Sequence, residues 1–125
     1  MVDLSHVAVG SNDLMKAKTF YDALFGAFGI TPMYEHPSGG RIYGKNGAAI
    51  FCVLGPYDKQ PASVGNGSMV TFKCDTQDEV RAMHAKGLAL GGTDEGAPGE
   101  RIPNMYFAYF RDLDGNKLCA YSVGK

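Results

Sequence analysis

The chain has 125 residues, 45% hydrophobic, 20% charged and 11% aromatic, with no tryptophan. That is room for one ordinary domain or for two small units sharing a core, and it excludes disorder, a collagen-like fibre and a disulfide miniprotein. Twelve Lys+Arg against thirteen Asp+Glu give a formal charge of −1; without a basic surplus to displace counterions from a phosphate backbone, nucleic acid is not an expected partner.

Taken in chain order, Leu4-Ser5-His6-Val7-Ala8-Val9 is β-branched enough for a half-buried strand. Ser11-Asn12-Asp13 then offers a helix N-cap, and Leu14, Ala17, Phe20, Tyr21, Leu24, Phe25 and Phe28 recur at three and four, one apolar stripe of a helix. Gly26 and Gly29 stop that helix, and Pro32 lies just beyond. Strands are predicted near 31–36, 40–45 and 48–54, the last two joined by Asn46-Gly47, a two-residue hairpin signal. Residues 55–66 are rich in Pro, Gly, Ser and Asp and read as a connecting loop.

The same order then returns. Met69 to Cys74 is a strand, Thr76-Gln77-Asp78-Glu79 has the form of a capping box, and Val80, Met83, His84, Gly87 and Leu88 follow at helical spacing up to Gly91-Gly92. Strands near 92–96, 105–111 and 117–123 complete the second half, the last two joined by Asp112-Leu113-Asp114-Gly115-Asn116. The reading is α+β: two βαβββ modules in tandem within one domain over 1–125, module one about 3–54 and module two about 67–123. Curved mixed sheets are expected round a cleft, with the helices outside.

The two halves can be set in register from their own landmarks. Phe51 lies four residues after the hairpin glycine Gly47, and Cys119 four after Gly115. His6 precedes Asn12 by six residues, and Met69 precedes Thr76 by seven. This counting makes His6 the counterpart of Met69, and Phe51 the counterpart of Cys119.

Cys52, Cys74 and Cys119 are an odd number, which argues against a secreted disulfide framework. The first residues show neither a basic nor an apolar leader region, and the longest uncharged apolar run, 48–55, falls far short of the ~20 residues that span a bilayer. A cytoplasmic location and no membrane partner are the expectation.

The duplicated order, the opening Leu4-Ser5-His6-Val7-Ala8-Val9, the helix with Ala17-x-x-Phe20-Tyr21-x-x-Leu24, and the ending Tyr109-Phe110-Arg111-Asp112-x-Asp114-Gly115-Asn116-Lys117-Leu118 resemble the vicinal oxygen chelate superfamily. Glyoxalase I, extradiol dioxygenases, fosfomycin-modifying enzymes and bleomycin-sequestering proteins belong to it. For its metal-dependent members the resemblance implies a divalent ion held by one residue from the first and one from the fourth strand of each half. Here those positions read His6, Phe51, Met69 and Cys119, where a glyoxalase I typically shows His, Glu, His and Glu; only His6 matches. A hard divalent ion takes carboxylate oxygen and imidazole nitrogen; Phe51 has no lone pair to give and Met69 only a soft thioether. The missing glutamates also remove the general base, so no cofactor and no ordinary glyoxalase I activity are expected.

Each remaining constellation has a plainer alternative. His6, Met69 and Cys119 together form a soft-metal set, but they serve equally as pocket lining with one hydrogen-bonded histidine. Cys119 is a nucleophile only if a base such as His6 converges on it; a buried inert thiol is commoner. His36 reads as a turn residue and His84 as a partly buried helix residue, and Asp112 and Asp114 read as hairpin chemistry. Tyr106, Phe107, Tyr109 and Tyr121 put aromatic density round the last hairpin, for a planar ligand or for the core.

Three functions follow. The first is a protein that binds a small planar apolar or aromatic molecule in a cleft lined by His6, Phe51, Met69, Cys119, Tyr106 and Tyr121. The second is a lyase or isomerase of glyoxalase type, using an atypical metal or His6/Cys119 chemistry. The third is a structural dimer whose cleft is vestigial. The resemblance implies a homodimer in each case.

Overall fold

A computed structural model describes residues 1–124. The chain divides into two compact units, Met1–Val64 and a second that begins at Gly65. Each is one α-helix and one four-stranded mixed sheet; the architecture is α+β, two βαβββ modules in tandem.

In the first unit β1 is Val7–Gly10, α1 Leu14–Gly26, β2 Thr31–Glu35, β3 Arg41–Lys45 and β4 Ala48–Leu54. The sheet order is β1-β4-β3-β2, with β1 parallel to β4 and the rest antiparallel. Asp13 is the residue that caps α1, its carboxylate accepting from the Lys16 N–H at 3.1 Å. Asn46 (φ 54°) and Gly47 (φ 80°) make the tight hairpin turn that the sequence signals, both in the left-handed region that a type I′ turn requires. The apolar stripe of α1 packs as an aromatic cluster on the sheet. Tyr21 lies 4.8 Å and Phe25 5.1 Å from the Phe51 ring, and Tyr43 sits 5.1 Å from Phe25. A polar rivet ties the same helix to β3. Asp22 accepts from the Tyr43 hydroxyl at 2.7 Å and from the Arg41 guanidinium at 2.6 Å, while Arg41 also donates to Glu35 at 2.7 Å.

In the second unit β5 is Val70–Lys73, α2 Gln77–Ala89, β6 Thr93–Ile102, β7 Met105–Arg111 and β8 Lys117–Val123, in sheet order β5-β8-β7-β6. Thr76 accepts from the Glu79 N–H at 3.1 Å as the capping box demands, but the Glu79 carboxylate reaches back to the Asp75 N–H at 2.9 Å, one residue before the cap. Strand β6 runs six residues past the expected end at 96. The glycines and Pro98 that read as breakers are carried inside it, with register shifts between Asp94 and Gly96 and between Gly96 and Gly99. This is possible because β6 is the edge of its sheet, where a missing N–H and a bulge leave no central ladder unpaired.

Candidate functional site

Strand alternation sorts each sheet into a face under its helix and an open face. In the second unit a Cβ added to Gly87 of α2 would fall 2.5 Å from the Phe110 ring, so Phe110 lies under the helix. Phe110 pairs with Leu118, and Leu118 with Val70. The residues between them therefore take the open face: Tyr109 beside Cys119 beside Thr71, and Phe107 beside Tyr121 beside Lys73. Met69 stands two residues before Thr71, on the same side, and is exposed.

The same construction in the first unit corrects the expected register. Phe51 is fully buried among Tyr21, Phe25 and Tyr43, under α1, and cannot line an open cleft. Its partner Val7 shares that face, so His6 and Ala8 take the open one, with Cys52 and Ile42 in register beside Ala8. The pair Val7 and Phe51 matches Val70 and Leu118. His6 thus remains the counterpart of Met69, but the counterpart of Cys119 is Cys52. The cause is a β-bulge. Gly44 pairs with Ala49 and Tyr43 with Phe51, which leaves Ile50 as an extra residue in β4, whereas β7 and β8 pair without a shift. One added residue turns every later side chain to the other face.

Tyr106 is the second correction. It pairs with Ser122 on the helix side, and its hydroxyl accepts from Arg81 of α2 at 3.0 Å, so it is an anchor for α2 rather than a cleft residue. Tyr121 does belong to the open face. Its ring stacks on Phe107 at 5.0 Å, and Phe107 stacks on Tyr109 at 6.0 Å with only 4° between planes. The three partly exposed rings form a near-parallel row.

The thiols of this face are poor nucleophiles. Burial pushes the Cys119 thiol up, against the Thr71 hydroxyl and the Lys117 cation that pull the other way. Cys52 is pushed up by burial as well. His6 is exposed, its Nδ1 3.0 Å from the Ser5 hydroxyl. Within neither unit do three His, Cys, Asp or Glu side chains gather among the described residues. At the positions that the resemblance marks for ligands, the first unit carries an imidazole and a protonated thiol and the second a thioether and a protonated thiol, and neither pair suits a hard divalent ion.

One cavity went unforeseen. In the first unit about 850 Å³ opens at the ends of β1 and β4, walled by Asn12, His36, Ser38, Tyr57 and Lys59 among others. His36 is the turn residue expected: its Nδ1 accepts from the Ser38 N–H at 3.1 Å, which leaves the proton on Nε2, and lies 2.8 Å from the Ser38 hydroxyl. The only sequence signal for the cavity was the Pro-rich stretch after Leu54, which says loop and not wall.

Residues 3–120 match the family model of the Glyoxalase/Bleomycin resistance protein/Dioxygenase superfamily. The chain belongs to that superfamily, the vicinal oxygen chelate fold of tandem βαβββ modules. It is similar to a glyoxalase/bleomycin resistance protein from Albidiferax ferrireducens T118, with 44% identity over 94% of this chain and 96% of the other and a TM-score of 0.85. A lactoylglutathione lyase from Agrobacterium tumefaciens shares the fold at 20% identity and a TM-score of 0.72, covering 98% of this chain and 94% of its own. The fosfomycin resistance protein FosX from Listeria monocytogenes does so at 20% and 0.72, covering 98% and 93%. No curated protein matches. Among the described residues no helix is long and apolar enough to cross a membrane.

Proposed function

We propose that the protein binds a small planar, aromatic molecule on the open face of its second sheet, without a resident divalent metal. The observation that carries this reading is the row Phe107, Tyr109 and Tyr121. Three partly exposed aromatic rings stand stacked in a near-parallel row on the face away from the helix. Met69 and Thr71, both exposed, continue that face with a thioether and a hydroxyl, groups that tolerate an apolar ligand, while Cys119 is fully buried. A planar ring added to the row gains stacking of about 0.5–1.5 kcal/mol per aromatic neighbour beyond the area it covers. The protonated Cys119 favours binding over covalent catalysis.

The test is a titration of the full chain with 2-naphthamide and 2-naphthoate, followed by amide NMR. Both probes should shift Phe107, Tyr109 and Tyr121, and Phe107→Ala should weaken both about three- to tenfold, the equivalent of one stacked ring. Absence of any shift along the row, with either probe, overturns the reading.

Two copies are proposed to pair. Each sheet ends in a short edge strand, β1 in one and β5 in the other, of four residues apiece. Unpaired edges of this kind are normally covered, and a symmetric contact of more than about 1,000 Å² would cover them. Light scattering should give twice the chain mass at micromolar concentration; a monomer there refutes the pairing.

A further inference from the structure

Resting on the reading above, we propose that the planar ligand of the second sheet is an anion, an aromatic carboxylate whose ring extends the row and whose charge lies between Arg101 and Lys117. Both cations stand over the same ring: Lys117 Nζ is 5.1 Å and Arg101 Cζ 5.9 Å from the centre of Tyr109. A third, Arg111, faces Lys117 across the β7–β8 ladder, and a fourth, Lys73, stands exposed beside Tyr121.

The carboxylate that answers this charge is Glu95, and it is already engaged. It is bonded to the Arg111 guanidinium, which with Lys117 holds its pKa below the usual carboxylate value. Asp94, the next acid along β6, is turned to α2 and bonded to His84 at 3.0 Å. No described ion pair reaches Lys73, Arg101 or Lys117. Of these four cations only Arg111 is bonded to a carboxylate, so Lys73, Arg101 and Lys117 are left in surplus.

The surplus decides the class of ligand. A neutral aromatic laid on the row would strip water from Arg101 and Lys117 and give nothing in return, and an unpaired charge is expensive to cover. A carboxylate supplies the missing partner and forms charge-assisted hydrogen bonds with the guanidinium and the ammonium. The open face of the first sheet offers no such surplus on β1 and β4, where His6, Ala8 and Cys52 stand.

The experiment compares 2-naphthoate with 2-naphthamide, probes of one shape that differ in charge, on the full chain at low ionic strength. The acid should bind at least tenfold more tightly, and 0.5 M sodium chloride should shrink that preference. In the double variant Arg101→Gln, Lys117→Gln the two probes should bind alike. If both perturb the aromatic row with equal affinity in the unaltered protein, the anion inference falls while the planar-ligand reading stands. If neither binds, both fall. A preference for the acid that ignores salt and survives the double substitution puts the carboxylate elsewhere and also overturns the inference. Should the variant fail to fold, the salt dependence of the unaltered chain decides alone.

Discussion

The two units share one plan and differ in where their sheets place aromatic residues. In the first, Tyr43 and Phe51 of the sheet turn towards α1 and meet Phe20, Tyr21 and Phe25, all of them buried. In the second, Ala108 and Ala120 in the sheet and Gly87 on the helix make room under α2 for one fully buried ring, Phe110, while Phe72 and Tyr106 on the same face stay half-buried. Phe107, Tyr109 and Tyr121 are left for the open face. A duplicated fold needs one packed face per sheet for stability and can give the other to a ligand. Here the first unit is the heavier core and the second carries the richer surface.

The sharpest way to break that contrast is at Phe51. If it is core, Phe51→Ala leaves a cavity among Tyr21, Phe25 and Tyr43 and costs about 3–5 kcal/mol, as ring deletions in packed interiors do. Chemical denaturation measures it. A loss below about 1 kcal/mol would return Phe51 to the open face and restore the simple count from the hairpin glycines.

That count shows where the sequence could be read and where it could not. Two hairpins were legible because Asn46-Gly47 and the 112–116 loop are local chemistry: the left-handed residues that the turns need are written in the chain, whereas the far end of β6 was not. The match of His6 with Met69 was legible for the same reason, since each sits a short step ahead of its own helix cap. The bulge at Ile50 was not. Nothing in Ala48-Ala49-Ile50-Phe51 marks which residue will go unpaired, because a bulge is settled by the packing of α1 on the finished sheet. Tyr106 misled differently. Its neighbours alternate in and out, and only Arg81 on another element reveals which phase is which.

A second, smaller test sharpens the other side of the comparison. The second unit keeps small residues under α2 so that Phe110 can sit against the helix backbone. In Gly87→Ala the new methyl would stand 2.5 Å and 2.6 Å from two atoms of that ring. The ring is fully buried and cannot swing clear, so overpacking should cost about 1–3 kcal/mol although alanine is the better helix former. A stabilised Gly87→Ala protein would mean that the contact is slack and the unit is not closely packed there.

The smallest expected effect lies at the edge of the second sheet, where Asp94 joins β6 to α2. Its carboxylate accepts from the Gly96 N–H at 2.9 Å and bonds the buried His84 ring at 3.0 Å, and both hold its pKa below the ordinary carboxyl value of 3.8. A carboxyl whose folded value is depressed contributes stability that is complete above its unfolded value and drains away as pH falls through the folded one. The contribution should therefore be whole at pH 5 and above, begin to fall near pH 4, about the unfolded carboxyl value, and be gone only once the pH lies below the depressed folded value. Denaturation midpoints across pH 2–6 should show Asp94→Asn flattening the acid limb relative to the unaltered chain, with the Glu35–Arg41 and Glu95–Arg111 pairs still contributing to the slope that remains. An acid limb of unchanged steepness in Asp94→Asn would show that the tie between β6 and α2 is made without the charge. The helix would then be held by the ring of His84, packed at 6.1 Å against Phe110 of the neighbouring β7.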